Sequence, residues 1–432
     1  MKRIKTWLPA VSIFSLAFIV RIVYNMTVGH GYVPHFDAAI YEQLAQRLIT
    51  DHCYCWSPHH ATTFRPPLWP FIIAGIYSVV GSHNTYVRLL DCFLGSGTSV
   101  FVYLFTRDIF GKRIALVTGV IAAVYTGLFI WDGWLYSESL YTFILIVFLY
   151  SLYRLQGKVH VRTWLVVGGG FLGLSMLARP NGTILLGLLG IWAVALAFFK
   201  YLPWQTVVKR ALVIVLIAIA VITPWSIRNY PHTHSLLPVS TLGNTLRGAY
   251  NDITLYDPGL RGIWSLPPAY NADIHDYTLA DENRDMQAAL DWIHRHISDM
   301  PYMFGVHLVN MWTPYMYSYD LPFEEFPTRQ SSQLVMDLIP LESIIVFTFA
   351  AFGLIMSWKK RKELLLVYLI IALTIAQNVI FYGSNRFRAP IEPFLVLLVG
   401  GVLWWMTNYW KTRTQLTKVK DEQGKPELVS AV

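Results

Sequence analysis

Long runs of apolar residues dominate this chain and decide what it can fold into. A helix that crosses the hydrocarbon core of a bilayer needs about 20 mostly apolar residues, because its backbone groups must hydrogen-bond within the segment. We predict ten such spans, several of them short, at residues 8–28, 89–106, 114–130, 139–153, 164–177, 183–199, 211–225, 340–358, 364–381 and 393–409. The predicted fold class is therefore an all-α polytopic membrane protein.

The composition agrees with this prediction. Apolar residues make up 55% of the chain and charged residues only 14%, whereas an ordinary globular domain carries about 25% charged residues. This excludes a soluble globular domain and a disordered chain. Three cysteines do not form a disulfide framework. Cys53 and Cys55 could pair through a small ring or stay as free thiols, and Cys92 lies within a span.

The positive charge of the chain is a signal of topology. The net charge is +8, and with the N-terminus inside, every Lys falls in an inner segment, as the positive-inside rule predicts. Nucleic acid is therefore not an expected partner. Counting residues 68–80 as a further span would place the later Lys clusters outside. We therefore predict an interfacial or re-entrant helix at 68–80, cytoplasmic N- and C-termini, and a first apolar run that is retained as a helix and not cleaved as a signal peptide.

Two outer segments are long, and they divide the chain. Residues 281–298 within the second segment have a helical pattern with acids in the first turn, which suits the helix dipole. The predicted organisation is an N-terminal transmembrane module at 1–227 with its outer loop at 29–88, a small outer subdomain at 228–337, transmembrane helices at 338–410 and a cytoplasmic tail at 411–432.

Five arginines lie beside proline or in short polar breaks at the outer ends of predicted spans: Arg65, Arg179, Arg228, Arg386 and Arg388. The planar guanidinium matches phosphate oxygens and tolerates partial burial better than a Lys amine. For any single arginine, interface anchoring or loop capping is an equally good interpretation. Together they would ring one face of the bundle, and this favours phosphate binding.

Two acids stand at the same outer boundary. Asp37 opens a stretch in which Ala38, Tyr41, Leu44, Ala45 and Leu48 recur at helical spacing, so we predict an amphipathic interfacial helix with Asp37 in the N-cap position. Glu138 lies where the third span meets the fourth, with Asp132 nearby. Asp37 could be a plain cap, but carboxylates at an apolar boundary are costly and often functional.

A metal site is not identified by spacing. His35 with Asp37, or His59 with His60, could ligate a cation, but no zinc-type spacing is present. A bound divalent metal cation therefore remains an open alternative.

Taken together, the motifs resemble the multispanning glycosyltransferases of the GT-C fold, in the branch that groups protein O-mannosyltransferases with bacterial aminoarabinose transferases acting on lipid A. The matching elements are Asp37 with Tyr41 and Ala45, Arg65-Pro66-Pro67-Leu68, Arg107 with Phe110, Gly111 and Arg113, Ser137-Glu138, and residues 177–182, 224–229 and 385–393. The chain departs at one point: many members carry two adjacent acids in the first loop, whereas here Ala38 follows Asp37.

The resemblance implies a GT-C-like bundle and a sugar donor carried on a polyprenyl phosphate. It implies transfer to a glycan, lipid or protein acceptor at the periplasmic face of a bacterial inner membrane. Asp37 would be the general base and Glu138 would orient a substrate. Arg65, Arg228 and Arg386, with Arg179 and Arg388 behind them, would bind the departing phosphate, and direct displacement would invert the anomeric centre.

Two other functions share these features. A transporter or flippase of a lipid-linked sugar could use the same arginines, although such proteins usually place polar groups near mid-membrane. The predicted spans hold few charges, chiefly Arg21 and Asp91. A non-catalytic subunit of the same fold would not need Asp37.

Overall fold

The computed structural model describes residues 4–57, 60–233, 241–268, 270, 277–314 and 329–423. These residues are mostly helical. The helices of the first half are α1 (Ile4–Thr27), α2 (Phe36–Thr50), α3 (Leu68–Val80), α4 (Asn84–Phe110), α5 (Lys112–Val124), α6 (Thr126–Phe129), α7 (Glu138–Arg154), α8 (Val161–Ala178), α9 (Leu185–Phe198) and α10 (Trp204–Thr233).

The second half continues the helical architecture. Its α-helices are α11 (Leu242–Ala249), α12 (Asp252–Tyr256), α13 (Leu279–Arg295), α14 (Met300–Trp312), α15 (Arg329–Met356), α16 (Leu365–Ile380) and α17 (Glu392–Gln423). Short 3-10 helices lie at Ile130–Gly133, Pro180–Ile184, Ile297–Asp299, Trp358–Lys360 and Asn385–Ile391. Within the described chain, the strands β1 (Cys55–Ser57) and β2 (His60–Ala61) form one antiparallel hairpin.

Fewer helices meet the length of a membrane span than the ten that the sequence predicts. Seven segments of the described chain are long and apolar enough, or eight if α5 and the helices after it, bent by 61°, count as one span. The other two predicted spans correspond to α7 and α16, which have 17 and 16 residues, fewer than the ~20 that a straight crossing requires. The chain is nevertheless a multi-pass membrane protein of all-α class.

Helix α7 lies in the interior of the bundle. Almost every residue of this helix is buried, and its side chains join a large apolar core with α4, α8 and α17. The bend after α5 falls at Tyr125. The backbone N–H of Thr126, which the break leaves without a helical partner, donates to Oε2 of Glu342 at 2.8 Å. Gly111, at φ +95°, makes the turn between α4 and α5, a conformation that a side chain would disfavour.

The loop predicted to be outer, residues 29–88, contains the two helices that the sequence predicts as interfacial. In α2, Ala38, Tyr41, Leu44 and Ala45 are buried along one face, as their spacing predicts. α3 has 13 residues, too few for a span, and packs against α2. Between them, a disulfide joins Cys53 to Cys55, the first residue of β1, which settles the alternative that their spacing left open.

The second segment predicted to be outer contains the predicted helix, observed as α13. Thr278 and Asp281 form a reciprocal capping box at its start, which satisfies two backbone N–H groups that would otherwise lack partners. Trp292 of α13 packs with Tyr250 and Met303 in a small apolar core of its own. The predicted boundaries of this segment, near residues 227 and 337, fall inside α10 and α15. The segment therefore starts and ends within long helices.

Candidate active site

The candidate site is built around Asp37, in the first turn of α2. The predicted N-cap position was wrong: His35 is the N-cap residue, and its side chain makes no capping hydrogen bond. Phe36 between them has φ +45°, a left-handed conformation that is uncommon for a bulky residue. Asp37 is thus free of a capping role, and its carboxylate turns to other partners.

Those partners are two arginines from distant parts of the chain. Nη2 of Arg65 donates to Oδ1 of Asp37 at 2.5 Å, and Nη1 of Arg386 donates to Oδ2 at 2.9 Å. Nε of Arg386 also donates to Oε1 of Glu138. One guanidinium therefore bridges the two predicted catalytic acids.

Glu138 and Arg179 form the buried back of this cluster. Nη1 of Arg179 lies 2.9 Å from Oε1 of Glu138, in an ion pair that lacks hydrogen-bond alignment. The Glu138 side chain is 0% exposed and that of Arg179 10%, whereas Asp37, Arg65 and Arg386 are 19–25% exposed. The cluster is therefore accessible on the side of Asp37, Arg65 and Arg386 and buried on the side of Glu138 and Arg179. A ligand would contact the accessible side first.

Local sequence explains how two of these arginines are presented. Arg179 precedes Pro180, and a residue before proline is restricted to extended backbone. It adopts φ −149° and ψ 147°, ends α8, and leaves its side chain at the helix boundary. Arg386 lies in the first turn of the 3-10 helix Asn385–Ile391, where the Ser384 hydroxyl accepts a hydrogen bond from its backbone N–H at 3.1 Å.

The arginines set the ionisation of both acids. Burial raises the pKa of Asp37, but the positive charges of Arg65 and Arg386 outweigh burial and lower the pKa to about 2. Burial likewise raises the pKa of Glu138, and Arg386 and Arg179 more than reverse that effect, so its pKa also lies below the ordinary value. Both groups are therefore carboxylates at neutral pH.

Arg228 has other partners. Its guanidinium donates to the carbonyl of Thr62 at 2.6 Å and to that of Tyr54 at 2.7 Å, and it also bonds Oδ1 of Asn229 at 3.0 Å. It lies over the Trp225 ring, 4.8 Å from the centroid. It holds the hairpin and makes no direct contact with the two acids.

Arg388 is also directed away from the cluster. Its side chain is 1% exposed, and Nε donates to Oε1 of Glu392 at 2.6 Å. Nη1 donates to the carbonyls of Met311 and Thr313, which ties α14 to the start of α17. Its contacts are those of a buried ion pair.

Asp132, the acid near Glu138 in sequence, is not part of the cluster either. Its Oδ2 accepts from Nε of Arg21 at 2.6 Å, and both side chains are almost completely buried between α1 and the Ile130–Gly133 helix. The Asp91 carboxylate is buried in α4, and neither of its oxygens has a hydrogen-bond partner within the described chain. The span charges noted in the sequence therefore lie in the bundle interior.

Aromatic rings that the sequence did not single out support the cluster. The Arg386 guanidinium lies 4.6 Å from the ring centroid of Tyr136, and that of Arg179 lies 5.8 Å from Tyr141 and 5.4 Å from Phe387. Such contacts stabilise a cation on an aromatic face. The sequence alone hinted at two of these rings, since Tyr136 directly precedes Ser137-Glu138 and Phe387 lies between Arg386 and Arg388.

A small cavity lies beside this aromatic wall. It has a volume of about 10 Å³ between α7, α9 and α16, room for about one water molecule. Tyr141 and Phe387, the rings beside Arg179, lie at its wall, and Leu145, Leu185 and Leu373 are among its apolar lining residues. Asn181, Thr374 and Gln377 also line the cavity, so its wall is mixed, and the rings of Tyr141 and Phe387 separate it from the arginine cluster.

In the described part of the chain, no group of three or more His, Cys, Asp or Glu side chains is arranged to hold a metal ion. His35 bonds the carbonyl of Val33 at 3.0 Å through Nδ1. His59 lies outside the described residues.

Comparisons with known proteins identify the architecture. Residues 64–227 match the family model described as dolichyl-phosphate-mannose-protein mannosyltransferase. This stretch includes the motifs at Arg65, Glu138 and Arg179, but not those at Asp37 and Arg386. No curated protein matches the chain by sequence.

Solved structures share the fold. The Archaeoglobus fulgidus oligosaccharyltransferase, in complex with Zn and sulfate, is 14% identical with a TM-score of 0.58, over 96% of this chain and 51% of that one. The same organism's AglB, in complex with an inhibitory peptide and a dolichol-phosphate, is 14% identical with a TM-score of 0.55, over 98% and 52%. ArnT from Cupriavidus metallidurans bound to undecaprenyl phosphate is 14% identical over 91% and 77%, but its TM-score of 0.41 supports no argument.

The chain therefore has the GT-C membrane fold, and the resemblance expected from its motifs is confirmed. It spans about half the length of the archaeal oligosaccharyltransferases that it matches.

Proposed function

We propose that this protein is a membrane glycosyltransferase that moves a sugar from a polyprenyl-phosphate carrier to an acceptor hydroxyl at the extracytoplasmic face. The observation that carries the proposal is the half-open cluster in which Asp37 shares the guanidinium groups of Arg65 and Arg386. It combines a carboxylate that can take a proton with cations that can receive a phosphate.

The transfer follows from these charges. The acceptor oxygen attacks the anomeric carbon as the bond from that carbon to the phosphate oxygen breaks. Asp37 takes the hydroxyl proton, and the phosphate leaves with the bonding electron pair. Arg65 and Arg386 stabilise the charge that develops on it. Attack opposite the leaving group inverts the anomeric configuration.

Donor binding would also prepare the base. In the structure Arg65 and Arg386 lower the pKa of Asp37, so the carboxylate is ionised but weakly basic. A phosphate that takes their N–H groups offsets their charge, and the pKa of Asp37 then rises toward its ordinary value. We expect the donor to bind before the acceptor is deprotonated.

The small cavity beside Arg179 indicates where the carrier lipid would pack, and α7, α9 and α16 would have to separate there to admit a prenyl chain. A headgroup at Arg65 and Arg386 would leave its first prenyl units beside Tyr141 and Phe387, at the wall of the cavity. A structure of the same fold was solved with a dolichol-phosphate, which supports a donor of this chemical class.

The disulfide supports the extracytoplasmic location. Cys53 and Cys55 lie in the same outer loop as Asp37 and Arg65, and disulfides persist in oxidising compartments. We propose a bacterial inner membrane with cytoplasmic termini, in agreement with the Lys distribution.

The charges of the cluster disfavour a bound divalent cation. Three arginines face two carboxylates, and both acids already pair with arginine. The site thus carries one more positive than negative charge, and a metal ion would have to displace an arginine to reach Asp37. We propose that the arginines take the place of a metal.

The decisive experiment separates transfer from transport. The purified protein is reconstituted in liposomes with a membrane extract of lipid-linked sugars, and mass spectrometry follows release of free polyprenyl phosphate. Release that is lost in Asp37→Asn but kept in Asp51→Asn supports the proposal, because Asp51 forms an equivalent pair with Arg47 at the other end of α2. Movement of the intact lipid between leaflets without release would replace the proposal with a flippase.

A further inference from the structure

The hydrogen bonds from Arg228 to the hairpin suggest that residues behind Arg65 help to position it. Two of its three donated hydrogen bonds end on the carbonyls of Tyr54 and Thr62, which flank β1 and β2. The backbone N–H of Thr62 also donates to the Tyr54 carbonyl at 3.1 Å. Arg228 therefore clamps the open end of the hairpin to the end of α10.

Tyr54 connects the clamped hairpin to the backbone of Arg65. Its hydroxyl lies 3.0 Å from the carbonyl oxygen of Arg65 and 3.1 Å from that of Pro66. The hydroxyl has one proton, which these two acceptors share. The contact fixes the backbone from which the Arg65 side chain reaches Asp37.

Two further features hold Tyr54 in place. The disulfide between Cys53 and Cys55 closes a ring that contains the Tyr54 backbone. The Tyr54 ring is 3% exposed and meets the Trp225 ring edge-on at 4.9 Å. The tyrosine is therefore held on its backbone by the disulfide and Arg228, and on its ring by an aromatic neighbour.

We propose that Tyr54, held by Arg228 and the Cys53–Cys55 disulfide, is a positioning residue that sets the Arg65 guanidinium against Asp37 and the donor phosphate, an inference that rests on the proposed function. An arginine side chain has many rotamers, and a site is accurate only when its supporting residues are fixed. Arg228 thereby acts through the hairpin and not by touching the phosphate.

The test is Tyr54→Phe, which keeps the ring and removes the hydroxyl. The first readout is the Kd for undecaprenyl phosphate in phosphatidylcholine nanodiscs, which should rise about tenfold. In the Arg65→Ala background the same substitution should change the Kd little, because Tyr54 acts through Arg65. Tyr77→Phe is the matched control, since the Tyr77 hydroxyl bonds Oε1 of Glu42 at 2.7 Å in the same outer loop.

The second readout needs no donor. The infrared carboxylate band of Asp37, identified by difference from Asp37→Asn, should titrate at higher pH in Tyr54→Phe, because Arg65 no longer lies as close. Should Tyr54→Phe fold poorly, Arg228→Lys is measured in the same way, since one amine does not span both carbonyls as the guanidinium does.

The two proposals fail in different ways. A titration shift without any binding of undecaprenyl phosphate by the wild-type protein would support the positioning role and overturn the proposed donor. An unchanged Kd and an unchanged titration in Tyr54→Phe would overturn the positioning role. So would a loss of affinity that simply adds to that of Arg65→Ala.

Discussion

The substitution Asp37→Asn removes one negative charge from the cluster and nearly preserves the side-chain volume. The pKa of Asp37 falls from 3.8 to about 2 on folding. At 1.36 kcal/mol per pKa unit, the ionised group contributes about 2 kcal/mol to stability at neutral pH. Because the folded pKa is the lower one, this contribution is complete above the unfolded value and is lost as the pH falls through about 2.

The same number predicts an effect on ligand binding. A phosphate that draws Arg65 and Arg386 away from Asp37 must offset this ~2 kcal/mol. Asp37→Asn removes that competing charge, so undecaprenyl phosphate should bind the variant at least about tenfold more tightly. Transfer should fall about 10²- to 10⁴-fold, the usual contribution of a general base. The variant is thus expected to bind the carrier better and to turn over far less.

Three measurements check this. The free energy of unfolding is compared in mixed micelles at neutral pH and near pH 2, donor affinity is measured in nanodiscs, and sugar release is followed by mass spectrometry, with Asp51→Asn as the control. The reasoning fails if transfer stays within a few fold of wild type. It also fails if affinity falls together with turnover, because Asp37 would then contribute to ground-state binding.

Other predictions follow from the same contacts. Glu138→Gln should cost about 3–5 kcal/mol of unfolding free energy, more than Asp37→Asn, because it leaves buried arginines without their carboxylate. Arg388→Gln should destabilise the protein through Glu392 yet leave the Kd for undecaprenyl phosphate unchanged; a weaker Kd would show a phosphate contact. Phe36→Gly should raise the unfolding free energy by roughly 0.5–1 kcal/mol, since glycine adopts positive φ without strain; a lower thermal midpoint contradicts this. Transfer should persist after dialysis against EDTA, and its recovery only on adding a divalent cation would contradict the proposed role of the arginines.

Parts of the fold were predictable because they depend on local patterning. Apolar length identified the helices, and the spacing of Ala38, Tyr41 and Ala45 identified the buried face of α2. The prolines after Arg65 and Arg179 indicated breaks at helix ends, where an arginine can project from the boundary. The number of full-length spans differs from the predicted ten, because α7 and α16 are apolar but shorter than a straight crossing.

The membership of the site depended on long-range packing. Arg386 is 349 residues from Asp37 and 248 from Glu138 along the chain, so no local pattern could pair them. Arg228 has the same local signals as Arg65, yet it binds carbonyls of the hairpin. Its partners depend on where β1 and β2 rest against α10, which only the folded chain defines.

Arg386 and Arg388 show the division most clearly. The sequence by itself placed both in one polar break between apolar segments, because charge is excluded from hydrocarbon and arginine collects at its edge. The tertiary structure made the break a 3-10 helix, in which residues two apart point about 120° from each other. One guanidinium therefore faces Asp37 and Glu138, while the other is buried against Glu392.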